Sequence, residues 1–141
     1  MERLKRLLHQ ENCSLVLRDQ EGSIHLYFKQ GVRDLQYITD HSPSLFHDAS
    51  IADKVIGKAA AGYMALGGVS QVYADVISRK ALPILQEATI KISYNEMVDT
   101  IVLPEGDTRC RLEEIVSTVH SPQAIVDVLK AHFQEMKTKN K

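Results

Sequence analysis

The sequence predicts a mixed α/β domain whose sheet opens with an antiparallel hairpin and is flanked by helices. Three observations carry that reading. SLVLRD (14 to 19) and SIHLYF (23 to 28) are β-rich runs joined by Gln20-Glu21-Gly22, a hairpin-length loop with a glycine. VSQVYADVI (69 to 77) and TIKISY (89 to 94) are two more strand-like runs, separated by a helical stretch in the order that builds parallel pairs. Between hairpin and parallel strands, Ser50 to Gly68 reads as one long buried helix.

Taken in order, residues 2 to 11 place Leu4, Leu7 and Leu8 on one helical face, flanked by Arg3, Lys5 and Arg6. After the hairpin, residues 31 to 49 hold one or two short helices broken near Pro43. The stretch SIADKVIGKAAAGYMALGG then carries its charges, Asp53, Lys54 and Lys58, in what would be its first two turns. Ser50 with Asp53 resembles a carboxylate capping box, and Gly67-Gly68 is a stop. Its glycines and alanines allow close packing on a sheet. RKALPILQEA (79 to 88) follows as a helix with Pro83 one turn in, where a missing N–H is tolerated. A short strand near 99 to 103 leads through Pro104 and Gly106 to a helix from Arg109 to about Val119. Ser121-Pro122 opens a last helix to about Met136, and the terminal KTKNK should fray.

A chain of 141 residues fits a single domain, residues 1–141, with a core of about 12–119, an N-terminal helix at 2–11 and a C-terminal helix at 122–136. Seventeen Lys and Arg against eighteen Asp and Glu give net charge −1, so charge supplies no general pull toward nucleic acid or anionic lipid. No apolar run approaches the roughly 20 residues of a membrane span. MERLKRLLHQENC has no apolar block of the signal-peptide kind, so a cytoplasmic protein without a membrane partner is expected. Cys13 and Cys110 are too far apart for a Cys-x-x-Cys motif and are expected as free thiols. The amphipathic first and last helices suit either a homodimer contact or a cover for the sheet.

Ligands in such sheets gather at the carboxyl ends of parallel strands, where helix N-termini present free N–H groups. This places Asp53, Lys54, Lys58, Asp75 and Ser78 as candidate ligand-binding residues, with Tyr94, Asn95, Asp107, Thr108 and Cys110 as further contributors. Other readings stand beside this one. Asp53 is also a favourable acidic residue for a first helical turn, and Asp75 could cap the helix that follows Ser78 or pair with Lys54 in a structural ion pair. Lys54 and Lys58, four apart, would repel on a helix by about 0.2 to 0.5 kcal/mol unless an anion lies between them. Cys110, between Arg109 and Arg111 in a first helical turn, is a candidate nucleophile with Glu113 one turn away, or else a small buried hydrophobe. The six histidines show neither His-x-x-x-His nor His-x-Glu spacing, so no metal is expected; neither a P-loop nor Gly-x-Ser-x-Gly occurs, and no cofactor is implied.

Ala52-Asp53-Lys54-Val55-Ile56-Gly57-Lys58-Ala59-Ala60-Ala61, Val72-Tyr73-Ala74-Asp75-Val76-Ile77-Ser78 and the late Cys110-x-x-Glu113 resemble a prokaryotic domain-of-unknown-function family over about residues 12 to 119. That family looks like a branch of the cytidine-deaminase-like fold, which implies three layers. The late motif is commonly Cys-Pro-x-Glu, and Arg111 stands here in place of the proline. Deaminases of that fold open the central helix with a zinc ligand, place the proton-moving Glu two residues on, and complete the site with Pro-Cys-x-x-Cys. Matched by position, this chain has Asp53, Val55 and Val76-Ile77-Ser78-Arg79, so the resemblance implies a domain without the zinc site. Two functions follow. One is a binding domain for a small polar or nucleotide-like ligand around Asp53 and Lys54. The other is a non-zinc enzyme using Lys54 as acid or anion clamp, or Cys110 as nucleophile with Glu113.

Overall fold

A computed structural model of the chain describes residues 1–29, 32–101 and 109–139, without the side chains of 109, 110 and 139. Its elements are α1 (Glu2–Gln10), β1 (Leu15–Arg18), β2 (Ile24–Tyr27), α2 (Val32–His41), β3 (Ser50–Ile56), α3 (Lys58–Gly67), β4 (Gln71–Ser78), α4 (Leu82–Glu87), β5 (Lys91–Val98), α5 (Arg109–Ile115) and α6 (Pro122–Lys139). Short 3-10 turns at Pro43–Phe46 and Arg79–Ala81 lead into β3 and α4.

The strands form one mixed sheet in the order β2-β1-β3-β4-β5. The β1–β2 pair is the expected antiparallel hairpin, and β1 also runs antiparallel to β3. Strands β3, β4 and β5 are mutually parallel neighbours, with Ile51 opposite Val72 and Val72 opposite Ile92. Each parallel step is made by a crossover helix, α3 and then α4.

The predicted helix over Ser50 to Gly68 is corrected: its first third is strand β3, and the helix begins only at Lys58. Ser50–Ile56 is buried on both faces of the sheet, so its residues show no alternation to separate a strand from a buried helix. The Ser50–Asp53 box does not form. Ser50 Oγ instead accepts from Gln71 Nε2 at 2.8 Å across the sheet. The glycine stop is as read: Gly68 takes a left-handed φ of 84° and its N–H returns to the end of α3. Residues 99 to 101 lie outside any strand, while 102 and 103 are outside the described residues.

One sheet face carries the main core, where Leu15, Leu17, Ile51 and Ala74 meet α2, α3, α4, α5 and α6 through residues such as Leu35, Tyr63, Leu85, Leu112 and Ile125. Among the described residues the other face carries α1 as its only helix, whose Leu4 and Leu8 close on Cys13, Val16, Ala52 and Tyr73. Among the described residues no helix is long and apolar enough to cross a membrane.

Candidate functional site

Recasting Ser50–Ile56 as a strand redistributes the predicted residues. Asp53 stands opposite Leu15 and Ala74, and cross-strand neighbours share a face, so its side chain enters the main-core side, fully buried. Its Oδ1 accepts the N–H of Val55 at 3.2 Å. Lys54, one residue on, takes the α1 side, and its Nζ donates to Asn12 Oδ1 at 2.7 Å.

Asp75 belongs with Lys54. The register pairs Asp53 with Ala74 and Val55 with Val76, which brackets Lys54 and Asp75 as neighbours. The Asp75 carboxylate accepts from Tyr73 Oη at 2.8 Å and lies 2.8 Å from His9 Nε2 of α1. The expected gathering of Asp53 with Asp75 therefore does not occur: strand alternation sends the two carboxylates to opposite faces.

Lys58 and Glu113 meet at the start of α3. Gly57 is the N-cap residue and has no side chain to accept the first free N–H groups. Glu113 of α5 does so instead. Its Oε1 accepts from Lys58 N at 2.6 Å and its Oε2 from Ala59 N at 2.9 Å. The missing side chain makes room, since a Cβ on Gly57 would lie 2.1 Å from Glu113 Oε1.

Burial pushes the Glu113 carboxyl above its usual value, against the opposing pull of the two N–H groups and of Lys80 and Lys58. The Lys58 side chain is buried as well, and its Nζ donates to Ser117 O at 3.3 Å and to His120 Nδ1 at 3.1 Å. Burial holds the Lys58 ammonium below its ordinary range; Glu113 resists that shift and Lys80 adds to it. A carboxyl shifted up and an ammonium shifted down, both buried at one helix start, mark a pair of perturbed groups of the kind found at functional sites.

Ser78 is buried at the end of β4, but its Oγ caps the following turn, accepting from Lys80 N at 3.1 Å, and donates to Asp99 O at 3.4 Å. The sequence reading missed Lys80, Ser117 and His120, which two segments, the turn after β4 and the connection between α5 and α6, deliver to Lys58 and Glu113. The available signal was Gly57: a helix start without a capping side chain needs an acceptor from elsewhere. Cys110 lies on α5 one turn before Glu113, with its side chain outside the described set. Among the described residues no three His, Cys, Asp or Glu side chains come together as a metal-binding group.

The sequence profile of the domain of unknown function DUF1893 (TM1506) matches residues 3–133. This chain belongs to the DUF1893 family. A solved structure agrees: the crystal structure of the DUF1893 family protein TM1506 from Thermotoga maritima superimposes with a TM-score of 0.79 at 23% identity. The match covers 94% of this chain and 91% of that one, so the DUF1893 fold extends over nearly all of both. No curated protein matches the chain.

Proposed function

We propose that this DUF1893 domain is a binding domain for a small polar, nucleoside-like ligand, held at the carboxyl edge of β3 and β4 with Lys58 and Glu113 as its polar anchors. The observation that carries this reading is a buried carboxyl, Glu113, bonded to the backbone of the first turn of α3, with the buried Lys58 ammonium near enough to act on it through its charge. Isolated charges are costly to bury, and the carboxyl edge of parallel strands is where α/β sheets present polar groups to ligands. Lys58 takes the place given to Lys54 by the sequence, because Lys54 is drawn to Asn12 on the opposite face. Asp53 lies under the same edge on the main-core side.

The deaminase-like character of the fold is part of the same proposal. A crossover helix starting directly after β3, with the end of β4 beside it, is the arrangement in which a deaminase would set its zinc. The residues here do not fit that metal. Gly57-Lys58-Ala59 opens the helix and Ser78-Arg79-Lys80-Ala81 ends the strand and forms the turn after it, offering three cations and no thiolate.

Thermal unfolding of the full chain against a panel of bases and nucleosides, none carrying a phosphate, tests the reading. At least one compound should raise the Tm, Lys58→Met should abolish the rise, and Lys54→Met should keep it. A rise that survives Lys58→Met, or no rise with any compound, overturns it.

A non-zinc enzyme is the second reading, favoured by burial of the Lys58 ammonium, which lowers its pKa and makes it a readier proton donor than a free lysine. In that reading Lys58 replaces Lys54 as acid or anion clamp, and Cys110 stays the proposed nucleophile. Product formation from the stabilising compound, measured by chromatography, separates catalysis from binding.

A further inference from the structure

We propose that the groove between α2 and α6 is a second ligand site, built for a small phosphorylated compound carrying a flat ring, of the nucleotide class. The groove has a volume of about 420 Å³ and shares no lining residue with the Lys58–Glu113 site. That volume suits a small molecule, for which pockets run from roughly 300 to 1,000 Å³.

Its walls are predominantly positive. Lys29, Arg33, Lys130 and Lys137 line it, against the single carboxylate of Asp40. Among the described residues none of the four cations forms a salt bridge. A neighbouring hollow of about 330 Å³ shares Arg33 and adds Arg111 together with the carboxylate of Glu135. In a chain of net charge −1, this is a local concentration of positive charge, which draws in anions. A guanidinium fork backed by ammonium groups matches the geometry and charge of a phosphate.

The groove also offers a ring and an acceptor. Tyr37 is 55% exposed inside it, with its ring centroid 4.3 Å from that of His41 and Lys29 Nζ 5.9 Å above its face. An exposed aromatic beside cations is a stacking surface for a flat base. Asp40 is anchored from below: buried Tyr63 donates its hydroxyl to Gln36 Oε1, and Gln36 Nε2 donates to Asp40 Oδ1 at 2.9 Å. That chain fixes an exposed carboxylate on the groove wall, where it can accept hydrogen bonds from the hydroxyls of a sugar.

Calorimetric titration of the full chain with adenosine and uridine monophosphates, with adenosine, uridine and inorganic phosphate as controls, tests the site. At least one monophosphate should bind, and its nucleoside and free phosphate should each bind weaker by roughly tenfold or more. Arg33→Gln with Lys130→Gln, both exposed and so neutral to folding, should cost a similar factor, as should Tyr37→Ala. Lys58→Met should leave this binding intact. The proposal is overturned if neither monophosphate binds, or if the double variant binds as the wild type does. Phosphate binding as tightly as the monophosphate also overturns it, as does an oligoribonucleotide binding more tightly per site than the monomer. Loss of binding in Lys58→Met with retention in Arg33→Gln/Lys130→Gln would move the ligand to the β3–β4 edge, removing the groove and leaving the proposed function standing.

Discussion

Glu113 accepts the backbone N–H of Lys58 at 2.6 Å, so the first turn of α3 is capped from a helix 55 positions downstream. Removing the carboxylate strands two N–H groups at a buried helix start. Glu113→Ala is expected to cost roughly 1 to 3 kcal/mol of stability, with Glu113→Gln, which keeps one acceptor, costing less. Urea unfolding measures both, and equal midpoints for wild type and Glu113→Ala would remove the cap from the account.

Gly57→Ala tests the same contact from the other side. Gly57 has φ −102°, a conformation open to any residue, so the penalty comes from the Cβ meeting Glu113 and not from the backbone. A loss of roughly 1 to 3 kcal/mol is expected. In a Glu113→Ala background the added methyl should cost much less, and a double-mutant cycle reads that coupling. Additive losses would mean that some other neighbour resists the methyl group.

Stability should fall as pH rises through the acid range. Burial raises the Glu113 pKa, so the folded chain keeps a proton that the unfolded chain has already released. Between the ordinary value of 4.5 and the raised one, unfolding gains with every step in pH. Asp34, also raised by burial, acts in the same sense above 3.8, while Asp19, lowered chiefly by His25, acts oppositely below 3.8. Glu113→Gln should flatten the slope without erasing it. Lys58, lowered by burial, has the reverse sign: stability rises with pH from its lowered value toward 10.5. Urea midpoints across the pH range test both limbs.

Cys13 should resist alkylation. Its thiol is fully buried, donates weakly to Leu7 O and Leu8 O, and burial pushes its pKa upward from 9.0. In Cys110→Ser protein, iodoacetamide should therefore react more slowly than with a free thiol and speed up in urea. A rate already at the free-thiol level in native protein would contradict the packing of α1. The matching Cys13→Ser variant reports Cys110, whose place between two arginines predicts the faster reaction.

Local signals were legible in the sequence and distant ones were not. The hairpin announced itself through Gly22 between β-rich runs, and β4, α4 and α6 through apolar runs and prolines at helix starts. Ser50–Ile56 was misread because a strand buried between two neighbours lacks alternation, and Asp53 with Lys54 imitated a charged first turn. That error put Asp53 and Asp75 together. Once the segment is extended, parity alone separates them. Glu113 was legible as a polar group near Cys110, but its destination was not, because only the packing of α5 on α3 brings the two together.

Placing α1 on the face opposite the main core leaves the sheet with two reservoirs of apolar contact, very unequal in size. The smaller is sealed by Leu4 and Leu8 and fastened at its end by His9 on Asp75, so it can open without disturbing the packing around α3. The amides of Glu2–Gln10 are thus expected to exchange with deuterated solvent through a local excursion, well before those of α3. Proteases would find the first helix as a removable cover while the remaining chain still holds its shape.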